Sequence, residues 1–423
     1  MSNYSLKERL IAKSLSKLPG IKAVLKDIYV RFNAITHKAP YKSWINLELV
    51  SELSPVVDPK DGQESFFGYY DKYPMNNSGW VLSHLSKGDT KSDTVSGERL
   101  EIILVNIFSK EVINIGSSLA YTWQQGTRAQ WIDDDWVIYN DYHVESDRFI
   151  ANIYSLSKRS IVKTIFCPVQ DSSSKGFYLS LNYKRLMATT KDYGYKVGKD
   201  LDKEELLNIE NDGIILINYN NEEQKILHSL KDIADLQNLK YSDSTVHTVN
   251  HIMLNDSGSS FIFIHRYYDK GIRYDRLIYS DFDKLSVLVD ENMVSHCAWL
   301  DDSNIVGYLR YNNIDAYYQI NTSTFEIKAI DGMNDNKVGD GHPSANKNFI
   351  VFDSYPDKSR LQSIFLFNKS KNTCDKLASF YQSIEFKGPS RCDLHPRFSS
   401  KDKIIFFDSV FNGARNQYYI KIK

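Results

Sequence analysis

The sequence predicts an all-β chain, a seven-bladed β-propeller preceded by a short basic α-helical segment, and three observations predict it. The chain has 423 residues with 28 Tyr and 21 Phe, and aromatics reach 13%. Such side chains favour pleated, half-buried strands over helices. A pattern of one polar residue, three mostly apolar residues, a short polar turn and an apolar strand then recurs seven times. Its copies begin at Asp71, Arg128, Phe177, His251, His296, His342 and His395. They are spaced roughly 45 to 55 residues apart, with one longer interval, and that is the period of a four-stranded propeller blade.

The elements follow in order. Residues 1–44 read as a separate leader: nine Lys/Arg stand against Glu8 and Asp27, a net charge of +7. The whole chain carries −1, which leaves −8 on residues 45–423. Leu6, Leu10, Ile11, Leu15 and Leu18 recur at helical spacing, Pro19-Gly20 interrupts, and Ile21 to Phe32 reads as a second helix. A basic amphipathic helix suits an anionic membrane surface, and equally a partner protein or the main domain. From residue 45 the repeats fill the chain. The long interval contains Lys203-Glu204-Glu205 and Lys231-Asp232-Ile233, read as short helices or loops on one face.

Composition narrows the classes. Charge is balanced at 52 Lys+Arg against 53 Asp+Glu, which argues against a nucleic-acid binder. Cys167, Cys297, Cys374 and Cys392 are far apart with no CxxC spacing, so they read as reduced thiols. No apolar run suits a signal peptide or a membrane-spanning helix. The expected location is the cytoplasm, with peripheral attachment to the inner membrane through the leader. No glycine-rich phosphate loop occurs. A glycosidase pair of carboxylates is not evident, because the repeat register offers only Asp71, with Asp393 nearby.

The repeat register bears on function. The seven copies start near the central channel, and four of the chain's ten histidines, His251, His296, His342 and His395, occupy that one position. Imidazoles converging on a polar funnel suit a borderline divalent metal, with a carboxylate as oxygen ligand. His296, Asp393 and His395 form a candidate ligand set, Asp393 facing the same way as His395 if the two share a strand. His251 then stands outside as a candidate general base. Arg128, Arg391 and Arg397 are candidate anion binders. A bland reading stands beside this one: histidines at blade starts can hydrogen-bond neighbouring blades and simply stabilise the ring.

Short motifs carry a family resemblance. Cys392 to Ile422, CDLHPRFSSKDKIIFFDSVFNGARNQYYIKI, resembles the closing blade of the oligogalacturonate lyases. VSHCAW from Val294 and VNHIMLN from Val249 resemble two further segments of that family. The resemblance implies a seven-bladed propeller that cleaves oligouronides by β-elimination, with His251 as proton abstractor and His296 and His395 as metal ligands. Two positions depart from the pattern: Asp393 replaces a His, and Ser390 replaces a Gln ligand. Residues 64–422 also resemble propellers found among bacterial polysaccharide genes, through Gly68-YYDKYP, Thr122-WQQGTRAQW, Asp340-GHPS and Arg391-CDLHPR.

The expected activity is therefore metal-assisted β-elimination on a uronic-acid-containing glycan, with Mn preferred over Zn, Fe or Ca. In this reading His251, Arg128 and His342 are catalytic, and Asp71, Arg391 and Arg397 bind substrate. The alternative is a non-catalytic glycan-binding or scaffold propeller in surface-polysaccharide assembly, tethered by residues 1–44 to a membrane or a glycosyltransferase.

Overall fold

The computed structural model describes residues 19–58, 62–399 and 403–423, with side chains described from residue 24 onward. Helix α1 (Pro19–Thr36) opens the described chain. Pro19 sits in its first turn, where a missing N–H costs nothing. The expected helix over Leu6 to Leu18 lies outside the described residues.

Seven antiparallel sheets follow. Blades 1 to 6 each take four consecutive strands, covering residues 64–118, 130–165, 171–229, 246–289, 294–329 and 344–381. Blade 7 is composite: its three inner strands come from the C-terminus, and its outer strand, Val50–Pro55, comes from the other end of the chain. Val50 pairs with Ile422 and Leu53 with Ile420, which closes the ring. Ser43–Ile45 adds a fifth, outermost strand to blade 6.

No single core exists; the apolar layers lie between blades. Leu82, Ile102 and Leu104 of blade 1 meet Val137 and Tyr139 of blade 2. Phe406 and Tyr419 of blade 7 meet Val81, Ile103 and Val105 of blade 1. Each fully buried aliphatic side chain contributes about 1.5–3 kcal/mol, so the ring is stabilised at every seam. Polar latches repeat the same joint. Asn76 donates to the Asp134 carbonyl at 2.9 Å and the Asn77 backbone to the Asp134 carboxylate at 2.9 Å. Asn255 and Ser257 do likewise to Asp302 at 3.2 and 2.9 Å.

One copy of the repeat falls elsewhere than the sequence suggests. Phe177–Ser180 is the second strand of blade 3, and the innermost strand is Asp171–Ser173. The residues after Phe177 read as strand, turn, strand, but Asn182 accepts hydrogen bonds from the backbones of Lys184 and Arg185 and starts a helix, Tyr183–Thr189. Asp171, not Phe177, therefore belongs to the channel lining. Two further short helices, Lys203–Leu207 and Leu230–Ala234, fall in the long interval as expected.

Candidate functional site

The first strands of neighbouring blades line the channel, and bulges aim their side chains. The pairing of blade 4 shifts between Asn250 and Met253, and that of blade 5 between Val294 and Cys297. Arg128, His251 and His395 have left-handed φ values of 55°, 53° and 45°. Non-glycine residues rarely hold that conformation, and such strain gathers where a side chain must be aimed.

The four histidines come together. Ring centroids of His296 and His342 are 4.1 Å apart, those of His342 and His395 4.2 Å, and those of His251 and His296 5.9 Å. All four are buried, at 2–6% exposure. Three of them are tethered through Nδ1. His296 Nδ1 meets Asp340 at 3.2 Å, His342 Nδ1 meets Asp353 at 2.8 Å, and His395 Nδ1 donates to the Gly68 carbonyl at 2.8 Å. Asp353 also accepts the backbone N–H groups of His342 and His395, at 2.8 and 3.0 Å.

A carboxylate or carbonyl on Nδ1 orients an imidazole and leaves Nε2 as its free donor atom. His395 Nε2 is buried with no hydrogen-bond partner. Ligand atoms of His342, Asp393 and His395 all lie within 4.8 Å of one another. Burial drives His395 down to about 3, with His342 adding to the effect, and drives His342 far below its usual range, so both rings are neutral. Burial pushes Asp393 up, but Arg391, donating at 2.7 Å, and the nearby His342 and His395 outweigh it and hold the carboxyl at about 2. Two neutral nitrogen donors and one ionised oxygen donor suit a divalent transition metal.

His342 thus stands in this group where the sequence suggested His296, which lies beside it. Asp393 and His395 do converge, though not by strand alternation: residues 391–396 are irregular and the blade's inner strand is only Arg397–Phe398. Ser390 turns its hydroxyl to the Lys387 carbonyl at 2.9 Å.

His251 is arranged differently. Its Nε2 is hydrogen-bonded to the Tyr69 hydroxyl, and its Nδ1 is buried with no hydrogen-bond partner. Burial, with His296 and Arg266 nearby, holds it far below the usual range, so it too is neutral. Tyr193 covers it edge-on at 5.2 Å.

The arginines separate. Arg391 keeps a side-chain exposure of 29% and lies over the Tyr355 ring, which meets His342 at 5.5 Å. Arg128 is committed to Asp71 at 3.0 and 2.9 Å and to the Gln170 carbonyl. The hydrogen bonds of that pair run to each other and to Gln170. Arg397 is wholly buried, donates to Asp408 at 2.9 Å and to the His395 carbonyl at 2.7 Å, and lies over Phe67. It supports the site from beneath.

Tyr69 and Tyr70 stand among the histidines, Tyr70 within 5.3–6.1 Å of three of their rings. Asp408 holds them in place by accepting the N–H groups of Phe67 and Gly68 at 3.1 and 2.9 Å. Gly68 has φ +114°, and a Cβ there would lie 2.7 Å from the Gln125 backbone, so only glycine fits. Tyr70 also lines a cavity of about 500 Å³, together with Asp71, Lys72, Trp131, Asp171 and Trp299, and none of the four histidines lines it. The motif Gly68-Tyr69-Tyr70-Asp71 was visible in the sequence, but its path among the histidines was not.

No protein-family model and no curated protein matches the sequence. Solved structures do match. An oligogalacturonate lyase in complex with manganese aligns with a TM-score of 0.59 at 12% identity, over 91% of this chain and 97% of that one. An oligogalacturonate lyase from Vibrio parahaemolyticus aligns with a TM-score of 0.60 at 14% identity, over 90% and 96%. At such identities the likeness concerns architecture, and site chemistry must be argued from the residues. The chain is a seven-bladed β-propeller that shares its architecture with these two oligogalacturonate lyases.

Proposed function

We propose that the chain is a lyase acting on a uronic-acid-containing glycan by β-elimination. The observation that carries this reading is His251: a neutral buried imidazole with one nitrogen on Tyr69 and the other unpartnered, beside a cluster of two histidines and a carboxylate. The fold shared with the two oligogalacturonate lyases supports it.

His342, His395 and Asp393 would hold a divalent ion, with His296 beside them; two nitrogens and one carboxylate suit Mn, Fe or Zn, and the manganese complex of the similar lyase favours Mn among them. When bound, the ion acts as a Lewis acid toward the uronate carboxylate. The protein's own groups do the rest. Tyr69 fixes the His251 ring through Nε2, and Nδ1 takes the proton from C5. The C5–H electron pair forms the C4=C5 double bond while the C4–O bond breaks. The departing oxygen leaves with the C4–O bonding pair and takes a proton from water, giving a 4,5-unsaturated uronide. Arg391 at the rim takes a substrate carboxylate. Asp71, Arg128 and Arg397 are given structural parts, because they are paired and buried, whereas Arg391 directs only its Nε to Asp393 and stays 29% exposed.

A second reading, a non-catalytic glycan-binding or scaffold propeller, is favoured by one observation: the four histidines are only 2–6% exposed, and none of them lines the cavity beside Tyr70. The test is absorbance of the unsaturated product from mixed oligouronides, run on manganese-loaded protein and on His251→Ala. General-base loss costs about 10²–10⁴-fold in rate. Full activity in His251→Ala would overturn the assigned base. Metal and uronide binding with no unsaturated product would favour the scaffold.

A further inference from the structure

Helix α1 carries its apolar stripe on the side that faces away from the propeller. Val24, Leu25, Ile28, Phe32 and Ile35 fall on one face at helical spacing. They are 60%, 45%, 58%, 62% and 79% exposed. The opposite side is the one that docks. Asn33 is 6% exposed, Tyr29 and Val30 are half-buried, and Asp27 accepts from Lys387 at 3.1 Å. A helix serving only its own domain turns such a stripe inward. Five large apolar side chains presented together on the outer face of one helix mark an interaction surface.

We propose that this face seats α1 on an anionic membrane surface. Charge selects the occupant. Residues 19–44 hold Lys22, Lys26, Arg31, Lys38 and Lys42 against Asp27 alone. That aspartate is already bonded to Arg31, at 2.7 Å, as well as to Lys387. A second copy of the chain would bring the same positive charge to the contact. Residues 1–18, with Lys7, Arg9, Lys13 and Lys17 against Glu8, would add to it. An acidic bilayer offers both an apolar layer for the stripe and opposite charge for the basic residues beside it. No helix among the described residues is long and apolar enough to cross a membrane, so the attachment is peripheral.

The test is co-sedimentation of the full chain with vesicles of phosphatidylcholine alone and of phosphatidylcholine mixed with phosphatidylglycerol. Binding is expected only to the mixed vesicles. Raising salt from about 0.05 to 0.5 M, which shortens the screening length several-fold, weakens it at least about tenfold. The double variant Ile28→Asp/Phe32→Asp weakens it by a similar factor and keeps the wild-type unfolding midpoint, because both side chains are exposed. Equal binding to neutral vesicles, no binding to either, or undiminished binding by the double variant would overturn the proposal. A fall in unfolding midpoint or a loss of dimers in the double variant, without vesicle binding, would instead assign the stripe to residues 1–18 or to a second copy.

Discussion

Blades 1 to 3 and blades 4 to 7 use the same channel position in opposite ways. In the first group the lining residues are Asp71, Arg128 and Asp171, and with Lys72 they form a closed set. Arg128 takes both oxygens of Asp71, and Lys72 pairs with Asp171. Burial alone would lift the Asp71 carboxyl, yet Arg128 and Lys72 bring it below its usual value. In the second group the residues are four imidazoles, two with a buried nitrogen that has no hydrogen-bond partner. A buried polar group left open costs free energy unless something else fills it. The closed half ties neighbouring blades together, and the open half is where the proposed ion would complete the set.

The sharpest way to break that contrast is to open the closed half. Asp71→Ala leaves the Arg128 guanidinium buried and uncompensated, which costs about 3–5 kcal/mol. Denaturant unfolding of metal-free protein measures it, and a loss below about 1 kcal/mol would show that Arg128 finds another partner.

The next prediction concerns how the open half is held. Asp353→Asn removes the carboxylate that orients both His342 and His395. Loss of such a supporting group lowers metal affinity about 10–100-fold. Manganese titration followed by calorimetry reads this, and an unchanged affinity would remove Asp353 from the site. His296→Ala, by contrast, should weaken manganese binding less than His342→Ala does.

The smallest effect, taken per residue, is the pH response of imidazoles outside the cluster. Burial brings His84 and His247 down to about 4. Unfolding returns each to about 6.5, so the unfolded chain binds more protons below that value and stability falls with pH. Each imidazole contributes about 2 kcal/mol of loss at pH 5, levelling off below pH 4. Asp353 works in the opposite direction. Burial lifts it to about 6, so it takes up a proton in the fold before it would in the unfolded chain, and this offsets part of the loss. His84→Gln should flatten the pH dependence by about one imidazole's share. An equally steep profile in that variant would show that His84 is already protonated in the fold.

Much of this was legible in the sequence. The blade period, the closing blade and the convergence of His251, His296, His342 and His395 follow from a repeat register that depends on local pattern. The misplaced copy at Phe177 shows the limit of that method, because a strand followed by a capped helix reads like a strand followed by a turn. The division of labour among the histidines was not legible. It depends on Asp340, Asp353 and the Gly68 carbonyl, groups whose distance along the chain reaches |i−j| = 327 for Gly68 and His395. Arg128 and Arg397 looked available for anions for the same reason: their partners, Asp71 and Asp408, are recognisable only once the blades are stacked. A helix over Ile21 to Phe32 was expected, and the observed one is longer, Pro19–Thr36, taking in Pro19 and Gly20, but no periodicity could tell which way its apolar side would point.

The composite blade has a consequence for biosynthesis. Asp393 and His395 belong to the blade that is complete only when Val50–Pro55 joins the last strand, Asn416–Ile422. A chain still emerging from the ribosome can form earlier blades as local hairpins, but its N-terminal strand must wait, unpaired, for the final thirty or so residues. Asp408, in the same composite blade, holds Phe67 and Gly68, from which Tyr69 and Tyr70 run among the histidines. The histidine cluster is therefore completed only with this closure, and a copy nicked in strand Asn416–Ile422 should lose the cluster before its other blades unfold.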